Sequence, residues 1–153
     1  MRKHRIWIVG LLSVLMTFGI LTIKTQALTF DELPQVQESD HWIISIKEAT
    51  NDTRIEKPDP KKFDTYELDI QNKAGQLGSV IVRAYRDEAQ TNVRYGLAVL
   101  DEQRSEELTK LDGKAVYSAM SVTEKAKKIE VDVLWTSGEE GDRPYKETFV
   151  FTH

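Results

Sequence analysis

The chain contains no cysteine, which removes several chemistries at once. It can form no disulfide, offers no thiolate nucleophile, and cannot hold zinc through sulfur. Histidine is scarce, with three in 153 residues, at positions 4, 41 and 153. None stands in a ligand spacing such as H-E-x-x-H. His41 falls at the edge of a strand-like run, where a solvated ring is expected rather than a base, and His153 is the last residue. There is no G-x-S-x-G or S-x-x-K stretch to activate a serine, no P-loop and no G-x-G-x-x-G. No catalytic residue, resident metal or cofactor is therefore expected, and the protein reads as a non-enzyme.

Long apolar runs are also absent, with one exception. Ile6–Ile23 is unbroken by any charged residue and follows a basic head containing Arg2, Lys3 and Arg5. Small residues at Thr25 and Ala27 come next, which is the layout of an export signal cut after Ala27. The run also reaches the roughly 18 residues needed to span a bilayer, so a retained single-span anchor is the alternative. Both readings hold the cations in the cytoplasm and deliver everything after Lys24 outside. Contact with a membrane is expected only through this segment, if it is uncleaved. Three parts follow: 1–27 as signal or anchor, 28–40 as linker, and 41–153 as one folded domain.

The whole chain has 21 Lys and Arg against 25 Asp and Glu. Met1–Ala27 holds four of the bases and none of the acids, so the remainder has 17 bases against 25 acids, a formal net of −8. Such a balance argues against a binder of nucleic acid or anionic lipid, which needs a basic field, and leaves room only for a local basic patch; no nucleic-acid partner is expected. About 125 residues suffice to bury a core without cross-links. An exported domain that folds without disulfides fits a bacterial cell envelope.

Period-two alternation dominates what is left. Trp42, Ile44 and Ile46 share one side of their run, as do Tyr66, Leu68 and Ile70. Val80, Val82 and Ala84 face inward and alternate with Ile81, Arg83 and Tyr85; Val93, Tyr95, Leu97 and Val99 face inward and alternate with Arg94, Gly96, Ala98 and Leu100. A weaker run covers Ala115–Val122. Ile129, Val131, Val133 and Trp135 alternate with Glu130 and Asp132, and Phe149 with Phe151 closes the series. All four prolines (Pro34, Pro58, Pro60 and Pro144) lie outside these runs. Seven half-buried strands are expected, antiparallel because one face of each is polar. Ser105, Glu106 and Glu107 start one short helix, with Leu108 and Leu111 on one face and Gly113 at its far end. A helical turn is expected around Thr123–Lys128.

Seven short strands with mixed connections over Trp42–Thr152 resemble an immunoglobulin-like β-sandwich in strand count and pattern. The cystine-and-tryptophan pattern of antibody domains is missing. A small β-barrel is the alternative fold.

Two places merit weighing as sites. Glu139, Glu140 and Asp142 crowd the stretch between the last two runs, flanked by Gly138, Gly141 and Pro144. Calcium needs six to eight oxygens, and the D-x-[DN]-x-[DN]-G spacing that gathers them is absent. The three acids read as a hairpin tip and only as weak cation candidates. The second place is the outer side of the third and fourth runs, where Ile81, Arg83, Tyr85 and Arg94 are expected as neighbours. Arg and Tyr beside small residues suit an interface. Trp42 and Trp135 continue inward alternations and read as core.

The favoured function is an exported, non-catalytic binding module at the bacterial envelope, contacting an envelope protein or a cell-wall polymer. The alternative is a secreted, envelope-acting enzyme or enzyme inhibitor working through carboxylates. The export reading is tested by mass spectrometry of the native protein: a chain starting at Leu28 outside the cytoplasm, or a membrane-attached full chain, is expected. A soluble cytoplasmic full-length chain overturns it.

Overall fold

The computed structural model describes residues 30, 32–50, 59, 62–87, 91–138 and 143–152. The proposed export segment, Pro58 and Pro60, the acidic tip at Glu139, Glu140 and Asp142, and His153 lie outside them. The elements run β1 (Gln35–Glu38), β2 (Trp42–Glu48), β3 (Phe63–Asn72), β4 (Ser79–Asp87), β5 (Arg94–Val99), α1 (Glu102–Leu108), β6 (Lys114–Thr123), β7 (Lys128–Thr136) and β8 (Tyr145–Thr152). The strands form two four-stranded antiparallel sheets, ordered β1-β2-β3-β6 and β5-β4-β7-β8. Among the described residues no helix is long and apolar enough to cross a membrane.

The seven expected runs are β2 to β8, and their alternation gives the core. Trp42, Ile44, Ile46, Leu68 and Ile70 from one sheet are buried against Val82, Val131, Val133 and Phe149 from the other. Removing each of these side chains from water contributes about 1.5–3 kcal/mol of transfer free energy. Trp42 and Trp135 meet across the two sheets edge to face, with ring centroids 5.5 Å apart. Both tryptophans are core, as their alternation implies.

Four sequence-based expectations need correction. Within the stretch 28–40, expected as linker, Phe30 and residues 32–40 are described, and they belong to the folded unit. Phe30 is buried edge-on against Tyr66, and β1 pairs with β2 from Gln35↔Ile46 to Glu38↔Ile43. Four residues with polar Gln35 and Gln37 facing inward carry too little apolar signal to announce a strand. Gln37 nevertheless donates from Nε2 to the Val150 carbonyl at 2.5 Å, joining the edges of the two sheets.

The second correction concerns β5. Its pairing with β4 runs Arg83↔Val99, Ala84↔Ala98, then Tyr85↔Gly96, so one extra residue, Leu97, is inserted on β5. A bulge of this kind reverses which side chains face inward beyond it. Arg94 and Gly96 keep the expected outer position, but Ala98 and Leu100 turn into the core while Val99 turns out, 62% exposed. Val93 and Tyr95, expected in the core, are exposed near the strand's free end.

The helix also differs. It begins at Glu102, because Asp101 is the better cap: its carboxylate accepts from the Arg104 N–H at 2.9 Å and pairs with the Arg104 guanidinium at 2.8 Å. Ser105 lies inside the first turns. Thr109 closes the far end, with its hydroxyl donating to the Glu106 carbonyl. The chain leaves the helix there, so Leu108 is fully buried and Leu111 is 68% exposed. Gly113 serves a close approach, since a Cβ on it would meet the Glu107 carbonyl oxygen at 2.1 Å. The segment before β7 is a hydrogen-bonded turn rather than a helical one, with the Ala126 N–H on the Thr123 carbonyl.

Three connections pass from one sheet to the other: β3 to β4, β5 through α1 to β6, and β6 to β7. The first two are tied together by Asn72, a fully buried side chain. Its Nδ2 donates to the carbonyls of Gly75 (2.6 Å), Leu108 (2.9 Å) and Lys110 (2.9 Å), and its Oδ1 accepts from the Ala74 N–H (2.7 Å). Asn72→Ala strands several buried backbone groups at once and is expected to cost more than about 2 kcal/mol in urea unfolding. Leu111→Ala, on the exposed neighbour, should change stability by less than about 0.5 kcal/mol. Equal effects for the two would remove Asn72 from its role.

Candidate functional site

The outer face of the β5-β4-β7-β8 sheet holds all four residues expected there. Strand pairing sets its rows: Val99, Arg83, Asp132 and Thr148 lie across the sheet in one, and Gly96, Tyr85, Glu130 and Val150 in the next. Directly opposed residues share a face, so these side chains are neighbours although they come from four strands. Ile81 stands opposite Leu134, two positions before Arg83, and is 45% exposed. Leu108 belongs to the core and Leu111 to solvent, so neither leucine covers this face.

Arg94 and Tyr85 do meet. The Arg94 guanidinium carbon lies 4.6 Å from the Tyr85 ring centroid, a cation–π contact. From there Arg94 reaches Glu130 at 3.1 Å and Asp132 at 3.7 Å. It can lie this way because Gly96, opposite Tyr85, has open space where a side chain would stand. Lys128 pairs with Glu130 at 2.6 Å, and Lys146 with Asp132 at 2.8 Å. The Thr148 hydroxyl donates to Asp132 at 2.7 Å. Arg83 is exposed, and among the described residues no hydrogen bond or ion pair engages it.

These contacts polarise the two carboxylates in one direction. Burial of Asp132, only 4% exposed, pushes its pKa up. The hydrogen bonds from Lys146 and Thr148, with the nearby charges of Lys146 and Arg94, outweigh burial and hold it below the ordinary carboxylate range. The Lys128 hydrogen bond is the largest influence on Glu130, and with Arg94 it lowers that pKa too. The hydrogen bond to Glu130 raises the pKa of Arg94. Both acids are built to stay ionised, which suits anchoring cations and opposes proton donation.

Glu130, Asp132, Lys146, Thr148 and Val99 were not singled out from the sequence. Alternation alone puts Glu130 and Asp132 on an outer face, but their place beside Arg83 and Tyr85 comes from β4 pairing with β7, more than forty residues later in the chain. Val99 was hidden by the bulge.

A second cluster forms where β1 turns into β2 and β8 begins. His41 Nδ1 lies 2.6 Å from Glu147 Oε1, and its ring is 5.3 Å from that of Trp135. Tyr145 stacks on Trp135, with ring centroids 5.7 Å apart, and is half exposed. His41 here ties the two sheets together as a hydrogen-bonding partner of Glu147. Among the described residues no group of three or more His, Asp and Glu can hold a metal ion.

Because the folded pKa of Asp132 is depressed, its stabilisation is fully present above the unfolded value of about 3.9 and is lost as pH falls through the lower folded value. Asp132→Asn is therefore expected to cost about 1.5–3 kcal/mol at pH 7, the range for hydrogen bonds to a charged group. The difference between variant and parent should shrink in urea titrations below about pH 4. A gap that is equal at pH 7 and pH 3 means the charge is not its source.

The comparisons with known proteins agree on one family. The family described as YozF-like secreted protein matches residues 26–153. An uncharacterised Bacillus subtilis (strain 168) protein, YozF, is 31% identical over 146 residues, covering 88% of each chain. No solved structure matches the chain. With nearly all of the sequence after the apolar segment covered, the chain belongs to the family of YozF-like secreted proteins.

Proposed function

We propose that this secreted protein is a non-catalytic binding module at the bacterial cell envelope, and that it takes a protein partner on the outer face of the β5-β4-β7-β8 sheet. Met1–Ala27 serves export, as a cleaved signal or as the only membrane attachment if it stays. The module is immunoglobulin-like. In the order of β2 to β8, the second strand is joined by the fifth and the third by the sixth, with the fourth and seventh flanking the third and sixth.

One observation carries the reading: Ile81 and Val99 remain 45% and 62% exposed around Arg83 on the outer face of paired strands. Apolar side chains beside an arginine on a preorganised surface are the composition of interface anchors. The carboxylates of this face favour the module over a carboxylate enzyme, since Glu130 and Asp132 are both drawn below the ordinary range. A partner that is an anionic cell-wall polymer would need several unengaged cations in a track. Here Arg94, Lys128 and Lys146 are already engaged.

The test is in-cell cross-linking on intact envelopes with Ile81→Asp/Val99→Asp. Both positions are exposed, so the double variant should fold with a nearly unchanged melting temperature. It is expected to lose the adduct formed by the parent. Retention of the same adduct at the same yield rejects this face, and absence of any adduct in the parent rejects the binding function.

A further inference from the structure

The two arginines of the outer face are not equivalent, and we infer that Arg83 is the anchor for a carboxylate on an extended acidic segment of the partner protein, whereas Arg94 is part of the scaffold. This deepens the binding-module reading and rests on it.

The division follows from the charges that face one another. Among the described residues three acids lie on this side of the sheet, and each already accepts hydrogen bonds. Asp87 accepts from the backbone N–H groups of Lys127 (2.7 Å) and Lys128 (3.1 Å). Glu130 is held by Lys128 and Arg94, and Asp132 by Lys146, Thr148 and Arg94. Against them stand Arg83, Arg94, Lys128 and Lys146, so one cation is left over. That cation is Arg83, the only one of the four with no hydrogen bond or ion pair among the described residues. A local positive excess on a chain whose remainder after Ala27 carries a formal −8 marks where an acidic partner is drawn.

The immediate surroundings define the rest of the ligand. Arg83 has Val99 directly across on β5 and Ile81 two residues earlier on β4, both pointing outward. A guanidinium between two exposed branched side chains takes a carboxylate in a bidentate grip while its neighbours take apolar groups. The fitting partner is therefore an extended stretch in which acidic and branched apolar residues alternate. A second copy of this chain does not fit. An isologous pairing on this face would set each positive surface against its own image.

The probe is an acetylated eight-residue peptide alternating Glu with Val and Thr, compared with its Gln counterpart, by NMR titration of the full folded domain. Shifts confined to β4 and β5 are expected with the Glu peptide, with at least tenfold weaker binding for the Gln peptide and for Arg83→Gln. Arg83→Lys, which keeps the charge but not the fork, should fall between. Arg94→Gln should lower the melting temperature yet bind the Glu peptide within about threefold of the parent below its transition. Equal binding by parent and Arg83→Gln overturns the inference, as does loss in Arg94→Gln alone. Inorganic polyphosphate binding more tightly than the peptide through the same residues overturns the choice of a protein segment. If the envelope cross-link persists in Arg83→Gln, the anchor is wrong while the module stands. If the parent gives no cross-link, the module reading itself falls.

Discussion

The fold hangs on the side chain of Asn72. A chain that passes between two sheets must bring irregular backbone over the end of an apolar core, where unpaired carbonyls are costly. Asn72 ends β3 at that point and supplies both amide hydrogens and its oxygen to the two crossing loops. Its own N–H meets the Gly113 carbonyl, and the Leu77 N–H meets that of Thr109, so the loops are laced to each other as well. The consequence runs outward. With the 108–113 loop held against the end of β3, Leu108 is driven into the core and α1 stays clear of the outer face. A helix free to swing could lay Leu108 and Leu111 over Ile81 and Val99, and the face would then be interior. The exposure of the candidate site is thus a result of a buried amide on the opposite sheet.

A second constraint acts within the face itself. Asp132 is nearly buried and cannot be left without partners at reasonable cost. Lys146, Thr148 and Arg94 meet that need, and Arg94 in turn is steadied by the Tyr85 ring. The network rigidifies four strands of side chains while using up the cations that compose it. What remains available is whatever the network does not engage, which is Arg83 with its two apolar neighbours. Rigid surroundings lower the entropic cost of docking at such a residue, because little has to be ordered on contact.

Much of this was legible in the alternation of single runs. Trp42, Ile44, Ile46, Leu68, Ile70, Val82, Val131 and Val133 all point where a period of two places them, since a strand paired on both flanks has no freedom to reverse its faces. The placement of Ile81, Arg83, Tyr85 and Arg94 on one surface followed from the same rule. The rule broke at Leu97, where β5 has a neighbour on one side only and admits an extra residue. Composition gave no sign of it, because the residues on both sides of the bulge keep an alternating look. β1 was missed for the opposite reason: Gln35 and Gln37 face inward where apolar residues are usual, and Gln37 is used for a hydrogen bond to Val150 instead.

Sequence by itself therefore determined seven of the eight described strands, the inward residues of every two-flanked strand and the acidic balance of the remainder. Each of these depends on neighbours within a few positions along the chain. Tertiary structure alone decided which strands pair, and with that the meeting of Arg94 with Glu130 and Asp132, the isolation of Arg83, and the burial of Asn72 beneath two loops. The β4–β7 pairing and the contacts of Arg94 with Glu130 and of Asn72 with Leu108 depend on residues some 36 to 57 positions apart in the chain, whose energies exist only once the two sheets have closed on their common core.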